Sequence, residues 1–241
     1  MSKVAIVTGG TRGIGAAISI ALKAAGHTVA ANYAGNDAAA EAFSKETGIA
    51  TFKWDVSDYE ACVKGIAAVE AKLGVVDVLV NNAGITRDAM LHKMTPQQWR
   101  EVISTDLDSV FNMTQPLITG MRDRGFGRII NISSINGQKG QMGQTNYSAA
   151  KAGMVGFTKA LAQEVAKKGV TVNVIAPGYI DTEMVQAVPP KVLESIISTI
   201  PVGRLGQADE IAHCVTFLAD EKSAFVTGTT LTCNGAQYIS G

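Results

Sequence analysis

Seven short runs of β-branched and aliphatic residues recur along this chain, with longer stretches between them. The runs are Val4–Thr8, Thr28–Tyr33, Thr51–Val56, Val76–Asn81, Arg128–Ser133, Val170–Ala176 and Thr229–Cys233. Each is apolar on both faces rather than alternating. A strand of that kind must be covered on both sides, as strands of a parallel sheet are. Parallel neighbours need long crossovers, and helices fill them. Trp99, Val102, Ile103, Leu107, Val110, Phe111, Leu117, Ile118 and Met121 keep roughly helical spacing, and Pro116 inside that run is expected to kink or divide it. Met154, Phe157, Leu161 and Val165 mark a second amphipathic helix, ended near Gly169. The expected fold is one α/β domain over residues 1–241, a doubly wound parallel sheet with helices on both faces. Ile180 to Ile200 breaks the alternation, contains Pro189–Pro190, and reads as an inserted helical flap.

The totals narrow the class. At 46% hydrophobic and 17% charged residues, the chain can build a sizeable core. Lys plus Arg and Asp plus Glu are 21 each, so no global charge favours nucleic acid or an anionic membrane. Cys62, Cys214 and Cys233 are far apart, as are His27, His92 and His213; no metal site or disulfide framework is expected. The opening "MSKVAIVTGG" holds an apolar run of only four residues, short for a signal peptide or a membrane span, and a soluble cytoplasmic protein is expected.

The first strand runs into "TGGTRGIG", with the spacing Gly9-x-x-x-Gly13-x-Gly15. Glycines there let the backbone turn and approach a pyrophosphate seated over a helix N-terminus. The spacing is not the Gly-x-Gly-x-x-Gly fingerprint, and a glycine turn alone is weak; its place after the first strand strengthens it. NAD sites usually carry an acid at the end of the second strand. Here that end reads "AANYAGN", with no carboxylate before Asp37. Arg12 is either solvated or the partner of a 2′-phosphate, which favours NADP(H). Asp55 in "WDVSD" and the "NNAG" of Asn81–Gly84 follow the third and fourth strands. Each suits an Asx turn or helix cap as well as a ligand, but their shared sheet edge favours a ligand crevice.

Tyr147 and Lys151 in "YSAAK" are one helical turn apart, amid small residues. A free phenol is a poor acid–base group near neutral pH, and a nearby ammonium favours its ionised form. Taken together, "TGGTRGIG", "NNAG", Ser134, "YSAAK" and "PGYIDT" occur in order, and the chain resembles the short-chain dehydrogenase/reductase family over essentially its full length. "GITRDAMLHKM", "NGQKGQMGQTNYSAAKAG" and "IPVGRLG" bring it nearest to bacterial members that reduce acetoacetyl-CoA in polyhydroxybutyrate synthesis.

The resemblance implies a Rossmann-type fold and an NADPH-dependent reduction of acetoacetyl-CoA to (3R)-3-hydroxybutanoyl-CoA. Tyr147 is implied as general acid, Ser134 as holder of the ketone oxygen, and Lys151 as partner of both the phenol and the nicotinamide ribose. Coenzyme contacts are implied for Gly9, Thr11, Arg12, Gly13, Ile14 and Gly15 in the glycine loop. Further contacts fall on Asn32, Tyr33, Asp55, Val56, Asn82, Ala83 and Gly84, and on Tyr147 and Lys151. Pro177, Gly178, Ile180 and Thr182 are implied beneath the nicotinamide. The substrate side takes Asp88, Gln141, Met142, Gln144 and Tyr179, and the flap would cover the acyl group with Met184, Val185, Val188 and Val192. A homotetramer is implied through the long helices and the last strand.

Two departures stand out. The family's "TNL" asparagine is Asp106 here, and the second glycine of its C-terminal turn is Ala236. An acyl-carrier-protein substrate is the alternative within the enzyme class, through a basic patch of Arg122, Arg124, Arg128, Lys167 and Lys168. A non-catalytic dinucleotide-binding subunit is the alternative of a different class, and only Asp106 speaks for it.

Overall fold

The computed structural model of the chain describes residues 2–186 and 188–239. Seven strands form one parallel sheet: β1 (Val4–Val7), β2 (Thr28–Tyr33), β3 (Ala50–Lys53), β4 (Val76–Asn81), β5 (Gly127–Ile132), β6 (Val170–Pro177) and β7 (Thr230–Cys233). Their order is β3-β2-β1-β4-β5-β6-β7. The helices are α1 (Gly13–Ala24), α2 (Asp37–Thr47), α3 (Tyr59–Leu73), α4 (Pro96–Ile103), α5 (Ser109–Arg124), α6 (Ile135–Lys139), α7 (Thr145–Val165), α8 (Glu183–Gln186), α9 (Pro190–Ser198) and α10 (Ala208–Ala219). This is the Rossmann-type doubly wound arrangement, and the order reverses between β1 and β4.

Alternate strand residues feed two cores. Ala5, Val7, Val80, Ile130 and Ile175 pack with Ile18 and Leu22 of α1 and Val215 and Leu218 of α10. Val4, Ile6, Leu79, Ile129 and Val172 pack on the other face with Ile66 of α3, Met113 and Leu117 of α5 and Val165 of α7. Both faces are therefore covered, which is why the runs read as continuously apolar.

One helix departs from expectation. The long run does divide, but not at Pro116: α5 passes through that proline, while a π-helical turn over Ser104–Asp108 separates α4 from α5. Proline removes a single N–H, and a 16-residue helix packed on the core keeps its course without it. The wide turn admits an extra residue and carries Asp106 inward, where its side chain is fully buried.

The amino edge of the sheet has its own anchor. Arg128 is 2% exposed, and its guanidinium donates to the carbonyls of Gly127, Gly169, Asp220 and Glu221 at 3.0–3.3 Å. It also lies 4.4 Å from the centre of the Phe126 ring. Arg128 is thus withdrawn from the expected basic patch. Arg124 is also committed, donating to the Val76 carbonyl at 2.7 Å and facing Asp77 at 3.8 Å. Ala236 takes a left-handed backbone with φ 65°, next to Gly235 at φ 61°, so the alanine sits where a glycine would be unstrained.

The expected flap contains α8 and α9. Ala187 and the side chain of Met184 lie outside the described residues. Val185 and Val188 are half-buried, and Val192 is 49% exposed.

Candidate active site

The carboxyl ends of β1 and β4 are stitched together. The Thr8 hydroxyl accepts from the backbone N–H of Asn82 at 2.9 Å and of Ala83 at 3.0 Å, and the Asn82 amide donates back to the Thr8 carbonyl at 2.9 Å. Asn32 is buried; it donates to the Trp54 carbonyl at 3.0 Å and accepts from Gly9 N–H at 3.4 Å. Asn32 and Asn82 therefore use their side chains to fix the glycine loop. A Cβ on Gly15 would strike the Gly9 carbonyl and stand 2.6 Å from the Asn82 amide nitrogen. The loop is folded so tightly that only hydrogen fits there, and it leads directly into α1. That is the form of a pyrophosphate cradle, and the residues present fit a dinucleotide.

Around the cradle the remaining candidates are distributed along one edge. Arg12 is the exposed N-cap of α1. Asp37 is ion-paired with Lys53 at 2.9 Å, and that contact holds its carboxyl below the usual carboxylate range. Asp55 accepts from Ser57 N–H and Oγ at 2.9 and 2.8 Å, as an Asx turn does, while Val56 is buried and its carbonyl accepts from Asn112. Pro177 ends β6 beside Cys233, and Gly178 N–H donates to the Cys233 carbonyl at 2.9 Å. Ile180 is buried and bridges to Gly206, whereas the Thr182 methyl lies 3.9 Å from where a Gly13 Cβ would stand. Thr182 thereby faces the glycine loop across the crevice.

Ser134, Tyr147 and Lys151 lie at the same edge. Ser134 caps α6, its hydroxyl accepting from Asn136 N–H at 3.1 Å. Tyr147 is half-buried in the first turn of α7, with Lys151 Nζ 5.4 Å from its ring centre. Lys151 is 3% exposed; its ammonium donates to the Ile132 carbonyl at 3.1 Å and faces Asp106 Oδ2 at 3.3 Å. Asp106 accepts from Ile85 N–H through Oδ1 at 2.8 Å, while buried Oδ2 has the ion pair and no hydrogen bond. Burial alone would push the Lys151 ammonium down; the Asp106 carboxylate, then the Tyr147 phenol, reverse this and hold it above its ordinary value. Burial pushes the Asp106 carboxyl up against the opposing pull of Lys151. The carboxylate therefore faces the lysine rather than pointing away.

The substrate-side candidates form a second cluster. Gln144 donates to Asp88 Oδ2 at 2.9 Å, and burial followed by the Asp88 charge pushes the Tyr179 phenol up. Gln141 accepts from Lys139 at 3.4 Å, and Met142 is 80% exposed at the loop tip. Three supporting residues escaped the sequence reading: Thr8, Asn136 and Asn146. Asn146 is fully buried and donates to the carbonyls of Arg87 and Gln98, tying the 84–90 loop to α7. Its only signal was an amide beside Tyr147, indistinguishable from a polar surface residue.

A cradle at the strand-order reversal, with serine, phenol and buried ammonium gathered at the same edge, defines a dinucleotide-dependent oxidoreductase. A family profile described as enoyl-(acyl carrier protein) reductase matches residues 9–235. The chain is 71% identical over 241 residues to an acetoacetyl-CoA reductase of Rhizobium meliloti, covering 100% of both. It is 72% identical over 240 residues to an acetoacetyl-CoA reductase of Shinella zoogloeoides, covering 99% of this chain and 100% of that one. A 3-oxoacyl-[acyl-carrier-protein] reductase of Haemophilus influenzae is 44% identical over 243 residues, covering 99% of each. The chain belongs to the short-chain dehydrogenase/reductase family, whose reductases bind nicotinamide dinucleotides.

Gly84 makes the ion pair testable. A Cβ there would stand 2.7 Å from Asp106 Oδ2 and 3.2 Å from Lys151 Nζ, both on buried side chains. Gly84→Ala is expected to force the pair apart and lower kcat about 10²-fold with the fold retained, a loss typical of ångström-scale misplacement. Steady-state rates beside circular dichroism check this; parental kcat would show that the pair's spacing does not matter.

Proposed function

We propose that this enzyme reduces acetoacetyl-CoA to (3R)-3-hydroxybutanoyl-CoA with NADPH. The observation that carries the reading is Lys151 Nζ lying 5.4 Å from the Tyr147 ring, at the edge where Ser134 and the cradle converge. The relatives' names supply the substrate: acetoacetyl-CoA reductases at 68–72% identity match nearly the whole chain. NADPH, when bound, supplies the hydride. Tyr147 gives its phenolic proton to the ketone oxygen, and Ser134 Oγ–H holds that oxygen as negative charge develops on it. Lys151 steadies the phenolate left behind and, with Ile132 and Asp106, keeps its own position. Pro177, Gly178, Ile180 and Thr182 form the floor of the nicotinamide end. Asp88, Gln141, Met142, Gln144 and Tyr179 receive the thioester side, and α8 with α9 closes over the acyl group.

Coenzyme choice rests on charge. Asp37, the first carboxylate after β2, is held by Lys53, and Arg12 stands at the head of α1. A 2′-phosphate meets attraction there. The carrier-protein alternative loses its main support, because Arg128 is buried and Arg124 is engaged. A homotetramer is supported by Trp99, Phe111 and Phe225, which are 40%, 51% and 102% exposed. A cytoplasmic site accords with the absence, among the described residues, of any helix long and apolar enough to cross a membrane.

Three measurements test the reading. Turnover of acetoacetyl-CoA followed by loss of NADPH absorbance should exceed that of the carrier-protein thioester, and kcat/KM with NADPH should exceed that with NADH; equal values with both coenzymes reject the Arg12 argument. Tyr147→Phe should lose about 10²–10⁴-fold in kcat while still binding NADPH, as removal of a general acid does. A variant keeping a tenth of the activity removes the phenol from this role.

Asp106→Asn tests the neighbouring charge. The carboxylate 3.3 Å from Lys151 Nζ offsets the ammonium's pull on the phenol. So long as the Ile132 carbonyl keeps Lys151 charged in the variant, that pull is unopposed and favours the phenolate. Oxidation of 3-hydroxybutanoyl-CoA needs the phenolate as base, so its onset should move to lower pH, with faster turnover. An unmoved profile rejects the electrostatic account.

A further inference from the structure

Asn136 was absorbed by neither the coenzyme site nor the acid–base set, yet it joins two parts of the site. It is 8% exposed, in the first turn of α6. Its backbone N–H donates to Ser134 Oγ at 3.1 Å. Its side-chain nitrogen donates to Gln144 Oε1 at 2.9 Å, and Gln144 Nε2 donates in turn to Asp88 Oδ2 at 2.9 Å. Asn136 Oδ1 is buried and has no hydrogen-bond partner.

The direction of this chain is fixed from its far end. An ionised carboxylate only accepts, so Asp88 demands the Gln144 NH₂. The Gln144 oxygen must then face Asn136, and Asn136 must present its own NH₂. The orphaned Oδ1 is the consequence: reversing the Asn136 amide would set its oxygen against the Gln144 oxygen. An unpaired buried acceptor is tolerated only where something else depends on the arrangement.

We infer that Asn136 is a positioning residue for the acyl thioester, locking the Gln144 amide so that its second N–H is presented to a substrate carbonyl. The inference rests on the thioester function proposed above. Held by Asp88 alone, the Gln144 amide could pivot and offer its oxygen to that carbonyl for part of the time, which repels it. Substitution of the Asn136 side chain leaves the backbone bond to Ser134 in place, so substrate grip and proton delivery separate. The expected signature is in KM rather than kcat.

The test is a double-mutant cycle on the intact enzyme with acetoacetyl-CoA and NADPH. Asn136→Ala should raise KM for acetoacetyl-CoA about tenfold, the equivalent of one oriented hydrogen bond. Its kcat and KM for NADPH should stay within about twofold of the parent. Asn136→Asp, which presents a second acceptor to Gln144, should do at least as much. In a Gln144→Ala background, Asn136→Ala should add nothing, because it acts only through the missing amide. Should Asn136→Ala fail to fold, Asn136→Ser completes the same cycle. Additive effects, or a fall in kcat with KM unchanged, overturn the positioning role. Parental KM in Gln144→Ala instead overturns the assignment of Gln144 to the substrate, and the inference falls with it.

Discussion

A lysine ammonium with 3% of its surface exposed is the constraint around which the carboxyl edge is organised. A charge so placed stands only if its surroundings compensate for the lost water. The compensation comes from three segments distant in sequence. The Ile132 carbonyl ends β5, Asp106 is turned inward by the π-helical turn, and Ile85 N–H orients the carboxylate. Gly84 supplies the space in which the pair meets. Each part explains another: the wide turn delivers the acid, the acid holds the lysine, and the lysine lies one turn from Tyr147. An asparagine at position 106 would still accept from Ile85, but it would bring no charge to the lysine. Aspartate thus makes this member's lysine part of a near-neutral pair, and the electrostatics of the phenol follow from that.

The strand pattern was legible because burial on both faces leaves a strong local signature: continuous Val and Ile over a few residues. The glycine loop was legible for a similar reason, since Gly15 sits where no side chain fits. The π-helical turn was not. Ser104 to Asp108 carries no residue that marks a widened turn, whereas Pro116 carries a conspicuous one, so the interruption was assigned to the proline. Local chemistry named the residue able to break the helix; tertiary packing around Lys151 decided where it widened.

Arg128 and Asn146 were misread or missed for a shared reason. Both are buried polar residues whose partners come from remote segments: Gly169, Asp220 and Glu221 for the arginine, Arg87 and Gln98 for the amide. All five of these acceptors serve through backbone geometry, since they are main-chain carbonyls of any residue type. Nothing in a sequence reports where a carbonyl will point. An arginine at a strand start therefore looks solvated, and an asparagine beside Tyr147 looks like a loop residue. Ser134, Tyr147 and Lys151 escaped this ambiguity because their side-chain chemistry, not a carbonyl elsewhere, drew attention to them.

The same distinction bears on what the two edges of the sheet do. At the amino edge, Arg128 ties β5 to the turns before β6 and after α10, and its charge is spent on main-chain carbonyls. Arg122, Lys167 and Lys168 remain exposed there, at the ends of α5 and α7. Ser134 and Lys151 stand at the other edge, across a six-residue strand that spans about 20 Å. A carrier held by the amino-edge cations would have to reach across the whole sheet to present its thioester. The polar groups beside Ser134, by contrast, form a short relay from Asn136 through Gln144 to Asp88. Recognition built from amides suits the neutral carbonyl and amide groups of a thioester arm better than an acidic protein surface. On the proposed function, the carrier would be read at the carboxyl edge, within a few side chains of the reacting ketone.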